Sequence, residues 1–308
     1  MLEYVDLRLP DIQALQGEET IFFISVSPIE VHGPHLPVGT DVFIAEELQR
    51  RYISEISLRH PELNFVRLPP LYAGADALPV KGSLSIPARC LERILFSYGK
   101  GLAEQGFKYL FVSDNHGGPR HQIAIEAAAR GLWKRHKFYL INPFGLDYRL
   151  MVLQDSKFME MTGIGPGKCG DDQDNHAGTN ETSLMLACAP EKVSKDFTEV
   201  PPSIVPDKRG VAALVSGLSK IASLFGGGVI SQELEHLANT LAWINDPIMK
   251  PYMGEPANAS KEAGEAMFAA RVKVGVELFE RALASGGKEP VHIVPMLWFL
   301  RAIRYLPG

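Results

Sequence analysis

Short apolar runs rich in β-branched and aromatic residues alternate with longer segments of helical period through the first half of this chain, and that alternation restricts what it can fold into. The runs are TIFFISV (20–26), NFVRLPP (64–70), KYLFVSD (108–114) and KFYLINP (137–143). Helical patterns run from Asp41 to about Ser57, from about Ala88 to Gln105 and from about Arg120 to His136. Strands of nearly unbroken apolar character are buried on both faces, and strands that recur between helices form parallel sheets. The expected fold is therefore α/β, in three α/β/α layers with a mainly parallel sheet. In such sheets ligands gather beyond the carboxyl ends of the strands.

The second half is less regular. TGIGPGKCGDDQDN (162–175) reads as a Gly-rich acidic loop, a helix opens at about Thr179 or Asn180, and the proline-bearing stretch 190–209 reads as a surface excursion. Helical patterns return at 231–242 and from about Ser260 to Ala284, and FGGGV (225–229) reads as a hinge or flexible loop. No internal repeat divides the chain, so residues 1–308 are taken as one domain. An extension from about 285, ending in the apolar VHIVPMLWFLRAIRYLPG, is expected to be a packing arm or a subunit interface, with a plain core element as the alternative.

Composition excludes several classes of function. With 46% hydrophobic and 22% charged residues, a chain of 308 residues buries roughly three quarters of its unfolded surface and needs no disulfide to hold it. A formal net charge of -5 and a pI near 6.0 give no field that would attract nucleic acid or an anionic membrane. There is no apolar run of about 18 residues, and MLEYVDLRLPDIQ carries acids and no apolar core, so a cytoplasmic location is expected. Cys90, Cys169 and Cys188 are odd in number and lack a CxxC pair, which argues against a disulfide framework or a thiolate zinc site. Cys90 and Cys188 read as small buried hydrophobes.

The chemistry-bearing residues fall after the strands. In SPIEVHGPHLPVGTD (27–41), Glu30 and His32 are two apart, so an extended backbone projects both to one side. Asp41 opens the next helix, where a carboxylate is favoured and can bridge to a cation. KYLFVSD leads into Asn115-His116-Gly117-Gly118, and DQDNHAGTNETS sets His176 and Glu181 five apart across a helix start. Read singly, Glu30 is a surface acid, Asp41 and Glu181 are helix caps, and His32 is a satisfied loop histidine. Read together, three loops at one end of a sheet supply imidazoles and carboxylates without thiolates, a set suited to zinc, manganese or ferrous iron. Asp41, with two oxygens, is the natural bridge between two divalent ions about 3.5–4 Å apart, the arrangement that polarises a carbonyl and generates hydroxide from water.

SPIEVHGPHLPVGTD resembles the E-x-H-G-x-H-L-P-x-G-T-D signature of the creatininase (creatinine amidohydrolase) family, NHGG resembles its strand-end GHGG segment, and HAGTNETSLML resembles its HAG-x-x-ETS-x-ML segment. YMGEPANASKEAGEA (252–266) is similar to the family's C-terminal region. The resemblance implies a creatininase-like fold in which Glu30 and His116 hold one metal, His32 holds the other, Asp41 bridges them, and His176 gives or accepts a proton beside the substrate. Creatininases place a ligating glutamate two residues after the strand-end histidine, where this chain has Gly118, and Glu181 is the candidate to replace it. No tryptophan precedes His176 where creatininases close over creatinine, so another substrate is expected.

The resemblance thus implies a metal-dependent hydrolase acting on a small molecule, by cleavage of a cyclic or formyl amide. Ring opening of a cyclic keto-polyol at a C–C bond stands second, and peptide maturation third. It also implies a homo-oligomer, a ring such as a hexamer. A non-catalytic metal-binding assembly protein is the reading from another class, and the presence of Glu30, His32, Asp41 and His116 together argues against it. A nucleotide binder lacks a Gly-rich phosphate loop between strand and helix.

Overall fold

The computed structural model describes residues 1–153, 155–162, 174–292 and 298–305. Most of the Gly-rich acidic loop, with Cys169, lies outside the described residues. Strands β1 (Leu2–Glu3), β2 (Thr20–Ser25), β3 (Asn64–Arg67), β4 (Tyr109–Ser113) and β5 (Tyr139–Ile141) form one sheet in the order β1-β3-β2-β4-β5. Every pairing in it is parallel. In the first half the helices are α1 (Leu9–Ala14), α2 (Thr40–Arg59), α3 (Ala88–Glu104), α4 (Pro119–His136) and α5 (Phe144–Val152). They are followed by α6 (Ser156–Thr162), α7 (Thr179–Cys188), α8 (Gly210–Leu224), α9 (Gly228–Ile244) and α10 (Lys261–Ser285).

Alternation along the strands builds the three layers. Ile21, Phe23, Phe111 and Ile141 point to one face and pack with Leu48 and Tyr52 of α2, Met185 of α7, and Phe268 and Phe279 of α10. Phe22, Ile24, Leu110, Val112 and Leu140 point to the other and pack with Leu91 and Leu95 of α3 and Ile125 and Leu132 of α4. Central β2 is buried along its whole length, as its unbroken apolar run requires. The expected three-layer parallel fold is what the chain adopts.

The register of β2 against β4 prepares the site. Ser25 lies opposite Ser113, so the two strands finish level and the loops after them leave side by side. The motif after β2 and the NHGG segment after β4 therefore meet.

Some local expectations need correcting. Cys90 is exposed, not buried, and Cys188 is half-buried, because the outer face of α3 turns toward solvent at residue 90. FGGGV is no loose hinge but the tight turn of the α8–α9 hairpin, with Gly226 at φ +79. The described end of the C-terminal extension turns back as a 3-10 helix (Trp298–Tyr305), where Arg304 Nε donates to Glu92 Oε2 of α3 at 3.0 Å. Strand β1 and helices α1, α5 and α6 had no expectation, being too short for a periodic signal.

α10 is clamped onto α7 at its start. Ser260 caps α10 by accepting from Ala263 N at 3.1 Å, and its own N–H donates to Ser183 Oγ of α7 at 3.1 Å. A Cβ on Gly264 would lie 2.0 Å from the Ser183 carbonyl oxygen, so the helices touch backbone to backbone there. Gly264→Ala is expected to destabilise the protein by about 1–3 kcal/mol or more, because neither backbone can yield. Gly101→Ala, on α3 with nothing within 4 Å of the added methyl, is expected to stabilise by about 0.5–1 kcal/mol. Urea unfolding of both variants reads the two signs, and equal effects would refute the close-contact account.

Candidate active site

Asp114, directly after β4, organises the ends of the strands. Its carboxylate is buried and accepts four hydrogen bonds: from Ser27 Oγ (2.9 Å), His116 N (3.0 Å), His121 Nε2 (3.1 Å) and Gln122 Nε2 (2.6 Å). Burial works against its charge, but the neighbouring His121 and these donors hold the carboxyl below its usual range. One side chain thereby ties the loop after β2, the end of β4 and the first turn of α4. His121 passes the constraint on, since its Nδ1 accepts from Ala75 N at 3.2 Å and fixes the loop before α3. From that loop Ala75 O reaches His116 and Leu78 N donates to Glu30 Oε1 at 2.6 Å.

On this frame Glu30, His32, Asp41, His116, His176 and Glu181 come together. His116 Nδ1 lies 3.0 Å from Glu30 Oε2 and 3.4 Å from Asp41 Oδ2. His32 Nε2 lies 3.5 Å from Asp41 Oδ1 and 3.6 Å from Glu181 Oε2. Asp41 thus turns one oxygen to each histidine. His176 Nδ1 is 4.0 Å from Glu181 Oε2, and its ring sits 4.2 Å from that of His32.

The outer nitrogen of each histidine is tied to a main-chain carbonyl. His32 Nδ1 meets Glu30 O at 3.0 Å, His116 Nε2 meets Ala75 O at 2.9 Å, and His176 Nε2 meets Val31 O at 2.9 Å. Those contacts fix each ring with its inner nitrogen turned toward the centre, as ligating histidines are held. Glu30 Oε2, His32 Nε2 and Asp41 Oδ2 are buried and make no hydrogen bond, so their neighbours approach without the alignment of one. Orphaned donors of this kind fit a cation between them. The sets Glu30/Asp41/His116 and His32/Asp41/Glu181, which share Asp41, each present donor atoms within 4.8 Å of one another, and so does Glu30/His32/His176.

The charges respond to one another. Burial alone would push His32 down, but Asp41 and Glu181 outweigh it and raise its pKa to about 10. Against the same burial, Glu30 and Asp41 carry His116 well above its ordinary value. Burial pushes Glu30 and Asp41 up, yet the adjacent histidines hold both carboxyls below the usual range, Asp41 well below. His35, in the same motif, stands apart: burial and the charge on His32 lower it to about 4, and its Nε2 bonds Thr182 Oγ1 at 2.9 Å.

Glu181 combines a backbone contact at a helix start with a position facing His32. In the first turn of α7 its Oε2 accepts from Ala177 N at 2.7 Å, which is a capping bond, while the same oxygen faces His32. Its Oε1 accepts from Asn115 Nδ2 at 2.9 Å. A Cβ on Gly118 would lie 2.4 Å from His116 Nε2 and 2.9 Å from Ala75 O, so that position has no room here for the glutamate of creatininases.

Several residues at the site escaped the sequence reading. Asn115 Nδ2 also donates to Asp41 Oδ1 at 3.0 Å, spanning two carboxylates, and its Oδ1 accepts from Arg271 Nη1 at 2.8 Å. Arg271, on α10, is buried and bonds Asp147 Oδ2 at 2.9 Å, and burial leaves that carboxyl raised to about 6 despite the arginine. Trp243 of α9 lies against His176, ring centroids 5.5 Å apart, and supplies an aromatic wall that no residue shortly before His176 provides. The site opens into a cavity of about 870 Å³ whose far wall includes Tyr148, Met151, Leu237 and Leu241. Tyr148 Oη and His236 Nε2 are 2.9 Å apart on that wall. Asn115 stands in the NHGG segment, where the sequence reading gave it no role, and no local motif marks the others, which lie on α5, α9 and α10.

Comparison with known proteins shows the family of the chain. A mycofactocin precursor peptide peptidase of Mycobacterium ulcerans is 30% identical over 207 residues, 63% of this chain and 70% of that protein. One from Mycolicibacterium smegmatis is 28% identical over 178 residues, 56% and 60% of the two chains. Among solved structures, creatinine amidohydrolase (creatininase) aligns at a TM-score of 0.58 and 17% identity, over 94% of this chain and 98% of that one. A manganese form of creatininase aligns at 0.58 and 16%, over 92% and 98%. At these identities the structural likeness is one of fold. The family model for creatininase (creatinine amidohydrolase) matches residues 5–279, and the chain belongs to the creatininase family of hydrolases.

Proposed function

We propose that the chain hydrolyses an amide C–N bond at a site holding two divalent transition-metal ions, zinc, manganese or iron. The observation that carries this is the set of three histidines locked outward by main-chain carbonyls, their inner nitrogens facing the buried carboxylates of Glu30 and Asp41 and the half-buried one of Glu181. In this reading Glu30 and His116 would hold one ion and His32 and Glu181 the other, with Asp41 common to both sets. Bound there, the ions supply Lewis-acid polarisation of a carbonyl and lower the pKa of water.

The chain's own groups do the rest. His176 holds a proton at Nδ1 and passes it to the leaving nitrogen, its ring plane fixed by the Val31 carbonyl and by Trp243. Asn115, braced by Arg271, keeps Asp41 and Glu181 in register. The apolar wall from α5 and α9 excludes water and takes the apolar part of the substrate.

For the substrate, the relatives named as peptide peptidases favour a peptide amide over the non-peptide amide ranked first from sequence. The cavity supports that choice, being of a size suited to a ligand well beyond one small ring. A planar cyclic amide is the second reading, favoured by the indole of Trp243 beside His176. Assay of metal-loaded protein against short peptides, cyclic amides and formamides tests the proposal, and hydrolysis of none would refute it.

Variants separate the roles. Asp41→Ala is expected to lose most of both ions, and full metal by elemental analysis would remove the bridge. Glu181→Gln is expected to lower metal content and rate together; normal values of both would leave Glu181 a helix cap worth about 1 kcal/mol or less. His176→Ala is expected to keep its metal while turnover falls by about 10²–10⁴.

The raised histidines make metal binding pH-dependent. His32, with its pKa at about 10, and His116, also raised, are protonated near neutral pH in the metal-free protein and must lose those protons to ligate. Metal uptake near neutral pH therefore releases protons, about one per chain from His32, and affinity rises as pH climbs toward 10. With a raised folded-state pKa, His32 stabilises the metal-free fold fully below about pH 6.5, and that contribution is lost as pH rises through about 10. Calorimetry in buffers of different ionisation heat counts the protons, and release near zero would contradict the raised values.

A further inference from the structure

Helix α8 carries an apolar stripe left open by the described residues of its own chain. Its inner side, Ala212, Ser216 and Ser219, is buried against α9, where Ser216 Oγ donates to Glu235 Oε2 (2.9 Å) and Ser219 Oγ to Ser231 O (2.8 Å). On the outer side Val211 is 67% exposed, Leu214 66%, Leu218 47%, Ile221 52% and, just past the helix, Phe225 87%. Leu224, Val229 and Ile230 widen the patch around the turn. Between Gly210 and Ser231 the only charged residue is Lys220.

We propose that this face docks on the same face of a second copy of this chain. The stripe advances in steps of three and four residues, the spacing of a helix seam that packs against its own equivalent. It is centred on Leu218, seven residues from Val211 and seven from Phe225, so a twofold axis near Leu218 matches the stripe to itself antiparallel. Gly217 has nothing within 4 Å of a would-be Cβ and lets a facing helix come close.

Charge and area select the occupant. An almost uncharged face fits an almost uncharged one, which a second copy supplies. A membrane-surface helix would carry Lys and Arg on its polar side, whereas the polar side of α8 is serines turned into α9. Eight large side chains exposed to this degree offer on the order of 800 Å² per copy, the share of a standard protein interface. The pairing also bears on the cavity, since α8 backs α9, whose Leu237, Leu241 and Trp243 line it. The proposal does not depend on the metal chemistry.

Analytical ultracentrifugation of the full chain at about 20 µM, above the Kd of a micromolar contact, tests it. The wild type is expected at no less than twice the 33.9 kDa chain mass. Leu218→Glu with Ile221→Glu is expected at half the wild-type mass or less, with unchanged circular dichroism and metal content. Leu58→Glu, replacing a leucine 77% exposed on α2, is expected to keep the wild-type mass. If the double variant misfolds, Leu218→Glu alone carries the same expectation. A monomeric wild type, or a folded variant at wild-type mass, would overturn the proposal. So would a wild type that stays monomeric yet sediments with phosphatidylcholine vesicles, since the occupant would then be a membrane.

Discussion

Three carboxylates, Glu30, Asp41 and Glu181, converge where β2 and β4 end, and much of the surrounding structure serves to hold and balance that charge. Carboxylates crowded in a poorly hydrated place repel one another unless each is hydrogen-bonded and countered. Leu78 N holds one oxygen of Glu30, Asn115 spans Asp41 and Glu181, and Ala177 N caps the other oxygen of Glu181. What those donors leave over is met by His32 and His116, whose pKa values the carboxylates raise against the effect of burial. A divalent cation would answer the same demand, and these side chains form groups that could hold one.

The site lies where it does because a parallel sheet sends its loops out at one edge. Level ends of β2 and β4 bring two loops together, and Asp114 locks them to α4 with hydrogen bonds that fill its acceptor capacity. The third loop, before α7, is brought in from the other side of the chain. His176 pairs with Met253, its N–H bonded to Met253 O and its carbonyl accepting from Met253 N at 2.7 Å. Gly33 N bonds Pro251 O at 2.7 Å, so the segment before α10 staples His176 and the first motif to each other. The resemblance of YMGEPANASKEAGEA to the family's C-terminal region acquires a physical meaning in that staple.

The cavity beyond the centre is built by different means. Its polar end belongs to the sheet edge, and its apolar end comes from α5 and α9, elements outside the βα repeat. The polar and apolar ends of the cavity thus come from separate parts of the chain.

By itself the sequence determined the layers and half of the centre. Apolar period fixed β2, β4 and the helices between them, because burial is a local demand written residue by residue. Glu30, His32 and His116 could be read because each lies shortly after a strand end, where a parallel sheet must place its loops, and Asp41 because it opens the helix at the far end of the same loop. Tertiary structure alone decided the rest. Arg271 reaches Asn115 across 156 positions, Trp243 meets His176 from a helix with no motif of its own, and Glu181 faces His32 only because α10 presses α7 against the sheet. Cys90, expected inside, faces solvent because residue type records a preference for burial and not the direction in which its helix turns. Contacts between distant residues depend on strand register and helix packing, which no single stretch of sequence contains.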